Sequence, residues 1–479
     1  MLTLLLFLIP LIGGLLILNL KSQKSAGMFS VLVSVLQILL FAYILINFNN
    51  PDFQSNLSFD HKWLADFDIR FHLGFDGLSL LMVGLTVFIS AIVLYFTSTM
   101  NYGKLSMFSA LILFTESALL GLFLAKDIFV FYFFFELALI PVYFMANIWG
   151  GKNASANTFK MFIYTVFGSL FMLIGFVFLY MRAQSADINT LKETVALLPG
   201  GLKTFLFWGF LLAFAIKMPI FPVHTWQPAV YTESPTPVSM LLSGLLSKMG
   251  VYGLIRILIP FGYSGVKEFG IIVMVLGIIG LIYGSIIAIN QKEIKKIIAY
   301  SSFAHMGLMA AGVLTMSTAG IQGAIFQMIA HGINVVGLFY ISKIIYEKTQ
   351  SRELSGMGGL AKNAPKLAVI FMIILLGSIA LPLTNGFIGE FLLLKSVFDY
   401  LPFLGIVAGL SIIFGAVYML RVYQKSMFEY PGFDELKDIE NKHLWVLVPL
   451  ALMILIMGIM PNTILEISQS FTENLIQLK

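Results

Sequence analysis

Cysteine is absent from all 479 residues. That excludes disulfides, thiolate nucleophiles and cysteine-ligated iron–sulfur clusters, while leaving the redox compartment open. Charge is nearly as scarce. Asp, Glu, Lys and Arg make up 11% of the chain and hydrophobic residues 59%, whereas soluble domains carry about 25% charged residues. No soluble domain fits this composition. The longest hydrophilic connection, Asn49 to Asp76, is too short for a receptor domain. Walker motifs and nucleophile elbows are missing. Gly356-Met-Gly358-Gly-Leu-Ala361 fits a GxGxxA spacing, but it follows an apolar run and no strand, so it reads as a connector. His224, His305 and His331 lack the spacing of metal ligands, and no metal site is expected. The net charge of +5 belongs to loops that orient a membrane protein and is no nucleic-acid signal.

What is present is a series of apolar runs of about 20 residues, about fourteen in number, each able to cross a bilayer as a helix. The chain therefore reads as an all-α polytopic membrane protein. MLTLLLFLIPLIGG lacks the basic region and cleavage site of a signal peptide, so it is taken as the first span. Two runs, 320–346 and 366–398, are longer than one crossing requires, and Pro382, Gly386 and Gly389 predict that the second is interrupted. An even number of spans puts both termini on one side. Most of the 29 Lys and Arg fall in alternate loops, including Lys292, Lys295, Lys296, Lys343, Lys348, Arg352, Lys362 and Lys366. Those loops are assigned to the cytoplasm and both termini to the opposite side.

Charged residues inside the apolar runs are the functional signal. A charge near the centre of a span costs about 2.5–3.5 kcal/mol on insertion scales, so such residues usually mark an ion path. Lys217 and Lys248 lie in FLLAFAIKMPIFP and LLSGLLSKMGVYG. Pro219 and Pro222 follow the first lysine and break its helix. Glu136 stands among aromatics five residues before Pro141; His305 follows Ser301 by one turn; His331 shares a face with Gln327 and Asn334; Glu390 lies just past the break at Pro382. Ser239, Ser243 and Ser247 form a stripe beside Lys248. Plainer readings stand beside these. Glu136 and Lys217 could be a static ion pair, the histidines could be hydrogen-bonded core residues, and Glu116 could be a packing contact. Lys395 and Arg256 are expected to snorkel toward helix ends. Alternating acid, base and imidazole groups that titrate near neutrality when buried describe a proton or cation path.

The motifs FFFELALIPVYF, AFAIKMPIFPVHTW, LLSKMGVYGLIR, IKKIIAYSSFAHMG, QMIAHGINVVGLF and GEFLLL resemble those of the antiporter-like subunits of respiratory complex I, the proton-pumping NADH:quinone oxidoreductase. The resemblance runs from LGFDGLSLLM at 73–82 to residue 394. It implies fourteen helices: an N-terminal group over 1–100, two inverted five-helix repeats over 101–262 and 263–430 with broken seventh and twelfth helices, and a loop and last helix over 431–479. It implies proton transfer through Glu136, Lys217, Lys248, His305, His331 and Glu390, with Glu136 and Lys217 as a switchable ion pair passing protons toward Lys248. Glutamate at 390 matches the M-type chains; the L- and N-type chains typically carry lysine there. The chain would hold no cofactor, with NADH, FMN, iron–sulfur clusters and quinone on partner subunits and L- and N-type chains as neighbours in a bacterial inner membrane. Two departures stand out. The family aspartate after Trp226 is Ala229, and the usual PGTGN is Pro382-Leu-Thr-Asn-Gly386. Subunits of Na⁺/H⁺ antiporters or of membrane-bound hydrogenases are the alternative.

Overall fold

The computed structural model describes residues 1–67, 69–100, 102–429 and 437–477. Most of them are helical, as the apolar runs require. Backbone amides in hydrocarbon can be satisfied only within a helix or a closed barrel. Among the described residues, eleven helical segments are long and apolar enough to cross a membrane. Eleven rather than fourteen reflects how the chain is cut. The first helix is only 17 residues long, the run 366–398 is split, and the runs 238–260 and 269–289 join in one 55-residue helical segment, Thr236–Asn290.

The chain forms two compact units. The first comprises Met1–Lys217 and Tyr252–Glu268. It begins with α1 (Leu2–Leu18) and α2 (Gln23–Asn47), followed by a two-stranded antiparallel hairpin, β1 (Ser58–Leu64) and β2 (Ile69–Gly74). The hairpin was not expected. It carries an Asp60–Arg70 ion pair at 2.7 Å. Then come α3 (Gly77–Ser98), α4 (Leu105–Leu124), α5 (Ile128–Leu137), α6 (Leu139–Trp149), α7 (Ala154–Ala183), the short α8 (Ile188–Ala196) and α9 (Gly200–Lys217). Helix starts follow local chemistry. Asp76 and Ser79 form a capping box on α3, and Asp127 and Asp187 accept backbone N–H groups at the starts of α5 and α8. Ala138 separates α5 from α6, three residues before Pro141, whose missing N–H leaves the Leu137 carbonyl without its helical partner.

The second unit comprises Met218–Val251 and Phe269–Gln477. Its helices are α10 (Gln227–Glu233), α11 (Thr236–Leu241), α12 (Lys248–Gly253, whose last two residues belong to the first unit), α13 (Ile259–Asn290, begun in the first unit and kinked at Gly262), α14 (Ile294–Leu314), α15 (Thr318–Thr349), the one-turn α16 (Leu360–Asn363), α17 (Pro365–Ser378), α18 (Asn385–Tyr400), α19 (Pro402–Met427), α20 (Asn441–Ile459) and α21 (Asn462–Ile476). Wide π-turns at Leu242–Leu246 and Leu254–Leu258 flank α12. α15 is the buried axis of this unit. α13 and α14 meet where Gly277 and Gly307 face each other. A Cβ at Gly307 would stand 2.2 Å from the Gly277 carbonyl oxygen, an approach that only small residues allow. The loop expected at 431 begins in the stretch 430–436, outside the described residues.

Candidate functional site

The two units each hold a cluster of buried polar groups. In the first, Lys217 ends α9, where Pro219 prevents the helix from continuing. It is buried, donates to the Phe135 carbonyl at 3.3 Å and lies 4.5 Å from the centroid of the Phe135 ring. A desolvated ammonium over an aromatic face gains about 2 kcal/mol. Glu136, the next residue on α5, is near enough for its charge to act on Lys217. The expected contact ion pair is nevertheless open in this structure. Oε1 of Glu136 is buried without a hydrogen-bond partner, and Lys217 has taken the neighbouring carbonyl and ring face instead. Phe131, Phe135 and Phe214 wall this site with ring centroids 5.9–6.4 Å apart.

In the second unit the structure brings four of the predicted residues into one row. Lys248 is fully buried at the start of α12. Its Nζ lies 2.7 Å from Nδ1 of His331 on α15, and it donates to the Ser243 carbonyl and, at 3.4 Å, to the Ser247 hydroxyl. With the ammonium donating, Nδ1 of His331 accepts and the neutral ring carries its proton on Nε2. The His331 and His305 rings cross at 63° with centroids 5.3 Å apart. Nδ1 of His305 lies 3.0 Å from Oε1 of Glu390 on α18, close enough for an ion pair although the direction misses hydrogen-bond alignment. Gln327 donates to the same carboxylate oxygen at 3.5 Å. Beside the histidines, a cavity of about 10 Å³ is lined by Ser301, Ser302, His305, Gln327, His331 and Asn334 among others. That is room for about one water.

The surrounding elements explain why the row forms. Ser239, Ser243 and Ser247 are satisfied by carbonyls, Ser243 and Ser247 each bonding the carbonyl four residues back in their own helix. The polar stripe is thus largely self-contained, and Lys248, buried at its end, is the group it presents to α15. Glu390 is delivered by the predicted break, residues 379–384 between α17 and α18. Gly389 lets α18 close on α15, because a Cβ there would meet Oε1 of Gln327 at 2.3 Å. Sequence reasoning missed Tyr418, which bonds Ser301 at 3.0 Å, and Asn385, whose amide oxygen is buried without a partner. A lone tyrosine in the aliphatic run GLSIIFGAVYML was the available signal.

One expectation changes. Arg256 does not snorkel. It is buried and clamps Asp76 through two contacts, 2.7 and 2.8 Å, while Lys126 joins the same carboxylate at 2.6 Å. Burial works against the Asp76 charge, but Arg256 and Lys126 outweigh it and hold the carboxyl well below its usual range. Lys395 is exposed as expected and pairs with Asp399 one turn on. Around Ala229, where the family aspartate is missing, buried Lys295 donates to the carbonyls of Thr232 and Ser234 at 3.2 and 2.8 Å.

Residues 125–415 match the family described as NADH:quinone oxidoreductase/Mrp antiporter, TM. NADH-quinone oxidoreductase subunit M of Rickettsia conorii is 38% identical over 98% of this chain and 97% of its own. The subunit M of Rhodobacter capsulatus is 34% identical over 95% and 91%. Among solved structures, a chain of respiratory complex I from Thermus thermophilus with bound NADH superposes with a TM-score of 0.92 at 30% identity, covering 100% of this chain and 99% of that one. A chain of the Mrp complex from Dietzia sp. shares the fold, with a TM-score of 0.86 at 20% identity over 98% of this chain and 51% of that one.

Proposed function

Because the chain belongs to the NADH:quinone oxidoreductase/Mrp antiporter membrane family, and within it to the M-type subunits of NADH-quinone oxidoreductase, we propose that it moves protons across the membrane while partner subunits carry electrons from NADH to quinone. NADH, FMN, iron–sulfur clusters and quinone are assigned to those partners, with L- and N-type chains as its neighbours in a bacterial inner membrane and both termini on the non-cytoplasmic side. The two halves of the path are read as inverted five-helix repeats over 101–262 and 263–430. Support for that comes from the recurrence of one proline-interrupted helix in each, after Lys217 and at Pro382.

The observation that carries the proposal is the row Lys248–His331–His305–Glu390. Transfer of the Lys248 proton to Nδ1 of His331 makes that ring an imidazolium, which can release its other proton from Nε2 toward His305. His305 stands beside the Glu390 carboxylate, which takes the proton in neutral form and releases it where the helix is broken. In the first unit, closing Glu136 onto Lys217 stabilises the ammonium and opening the pair favours release of its proton.

The discriminating substitutions are at Glu390. Glu390→Gln removes the ionisable oxygen and Glu390→Asp keeps it. The first should abolish most NADH-driven pumping per assembled complex, and the second should retain most of it. Equal pumping in both, at equal subunit abundance, makes Glu390 structural.

A further inference from the structure

Glu116 lies in the middle of α4, 1% exposed, and neither of its carboxylate oxygens has a hydrogen-bond partner. α4 packs within its unit against α1, α2, α3, α5, α6 and β2. α1, α3 and α6 contain no Asp, Glu, Lys, Arg or His. Lys24 on α2 is exposed at that helix's start, and on β2 Arg70 pairs with Asp60 while His72 contacts Ser58. The charged group that α5 offers is a second acid, Glu136. Among the described residues, Glu116 has no ion-pair partner. An isolated carboxylate in such a place takes up a proton rather than remain charged, so Glu116 is held as the neutral acid.

A second observation extends it. Hydroxyl side chains in α3 and α4 are mostly tied down. Thr86, Thr97, Ser98 and Thr115 bond carbonyls of their own helix, and Ser106 and Ser117 bond carbonyls of the first helix or its end. Among the serines and threonines, Ser90 and Ser109 are the exceptions, both buried with no hydrogen-bond partner among the described residues. Ser109 and Glu116 are seven residues apart and share one face of α4. α3 ends at Ser98 and α4 begins at Leu105, so the two helices meet at one end. At 1.5 Å per residue, Ser109, Ser90 and Glu116 stand about 6, 12 and 16 Å from that end. The end is the one assigned to the cytoplasm.

We propose that Ser109 and Ser90 form a hydroxyl lead for proton uptake along α3 and α4, ending on Glu116, a second proton-carrying acid of the first unit. The proposal rests on the proton-translocating reading above. In the step, the Glu116 carboxyl O–H breaks as its proton passes to the Glu136–Lys217 site, whose helix α5 packs against α4. The O–H then re-forms with a proton delivered through the two hydroxyls.

The test uses the assembled complex in membrane vesicles, with NADH-driven pumping per complex and redox-induced infrared difference spectra as readouts. Glu116→Gln should remove a protonated-carboxyl carbonyl signal and most of the pumping; Glu116→Asp should restore both. Joint Ser90→Ala and Ser109→Ala should slow pumping while leaving the carboxyl signal in place. Normal pumping with an unchanged spectrum in Glu116→Gln overturns the proposal. Should that variant fail to assemble, an unimpaired rate in the double serine variant overturns the lead. A wild-type complex that oxidises NADH without moving protons would instead refute the reading beneath it.

Discussion

Asp127 caps α5 by accepting the backbone N–H groups of Phe129 and Val130 at 2.8 and 3.2 Å, yet it is almost wholly buried. Burial pushes its carboxyl up to about 6 from the usual 3.8, outweighing the backbone hydrogen bonds. The sign follows directly. A folded-state value above the unfolded one means the native protein holds the extra proton, so the associated stability is full below the unfolded value and is lost as pH rises through about 6. At neutral pH the buried charge therefore costs roughly 3 kcal/mol at most. Asp127→Asn keeps an oxygen that caps the helix and removes the charge. Thermal midpoints in detergent should coincide near about pH 4 and diverge toward pH 7 with the variant higher; a lower midpoint at neutral pH would contradict the assignment. At this scale the sequence was generous with the site and poor with partners. Lys248, His305, His331 and Glu390 were visible because ionisable residues are costly in apolar runs. Arg256 was misread because its partner, Asp76, lies 180 residues away, a distance no local pattern spans.

The break between α17 and α18 was legible from Pro382, Gly386 and Gly389, but its strain was not. Ala380 and Leu383 adopt φ of 57° and 73°, a left-handed conformation that costs a residue with a side chain about 1–2 kcal/mol. The family places glycine where Leu383 stands. Leu383 is 68% exposed, so its side chain contributes little burial. Leu383→Gly should raise stability by up to about 1 kcal/mol, since the strain it relieves exceeds the roughly 0.5–1 kcal/mol of added unfolded-chain entropy. Thermal unfolding of the purified complex checks this; a clear loss of stability means that the left-handed turn is not a source of strain. Other elements escaped the sequence for physical reasons. The π-turns around α12 have no strong local code. The hairpin 58–74 is too short to announce itself between two spans. The amphipathic α21 was not read as a separate helix, because apolar residues continue past Met460.

For the molecule as a whole, orientation rests on the positive loops. The connection between α15 and α17 carries Arg352 and Lys362 and is predicted to be cytoplasmic. Ser355 is exposed there, and the natural chain has no cysteine, so Ser355→Cys gives a single reporter. In intact cells it should resist a membrane-impermeant thiol reagent and react once the membrane is opened; ready labelling of intact cells would invert the topology and the direction of every step. The central claim, that the buried row of the second unit conducts the protons, meets its most direct test at Lys248. Lys248→Met keeps the length of the side chain and removes its proton. NADH-driven pumping, measured per assembled complex in vesicles, should fall to a small fraction of the wild-type value at unchanged subunit abundance. Pumping at the wild-type level in that variant would contradict the account.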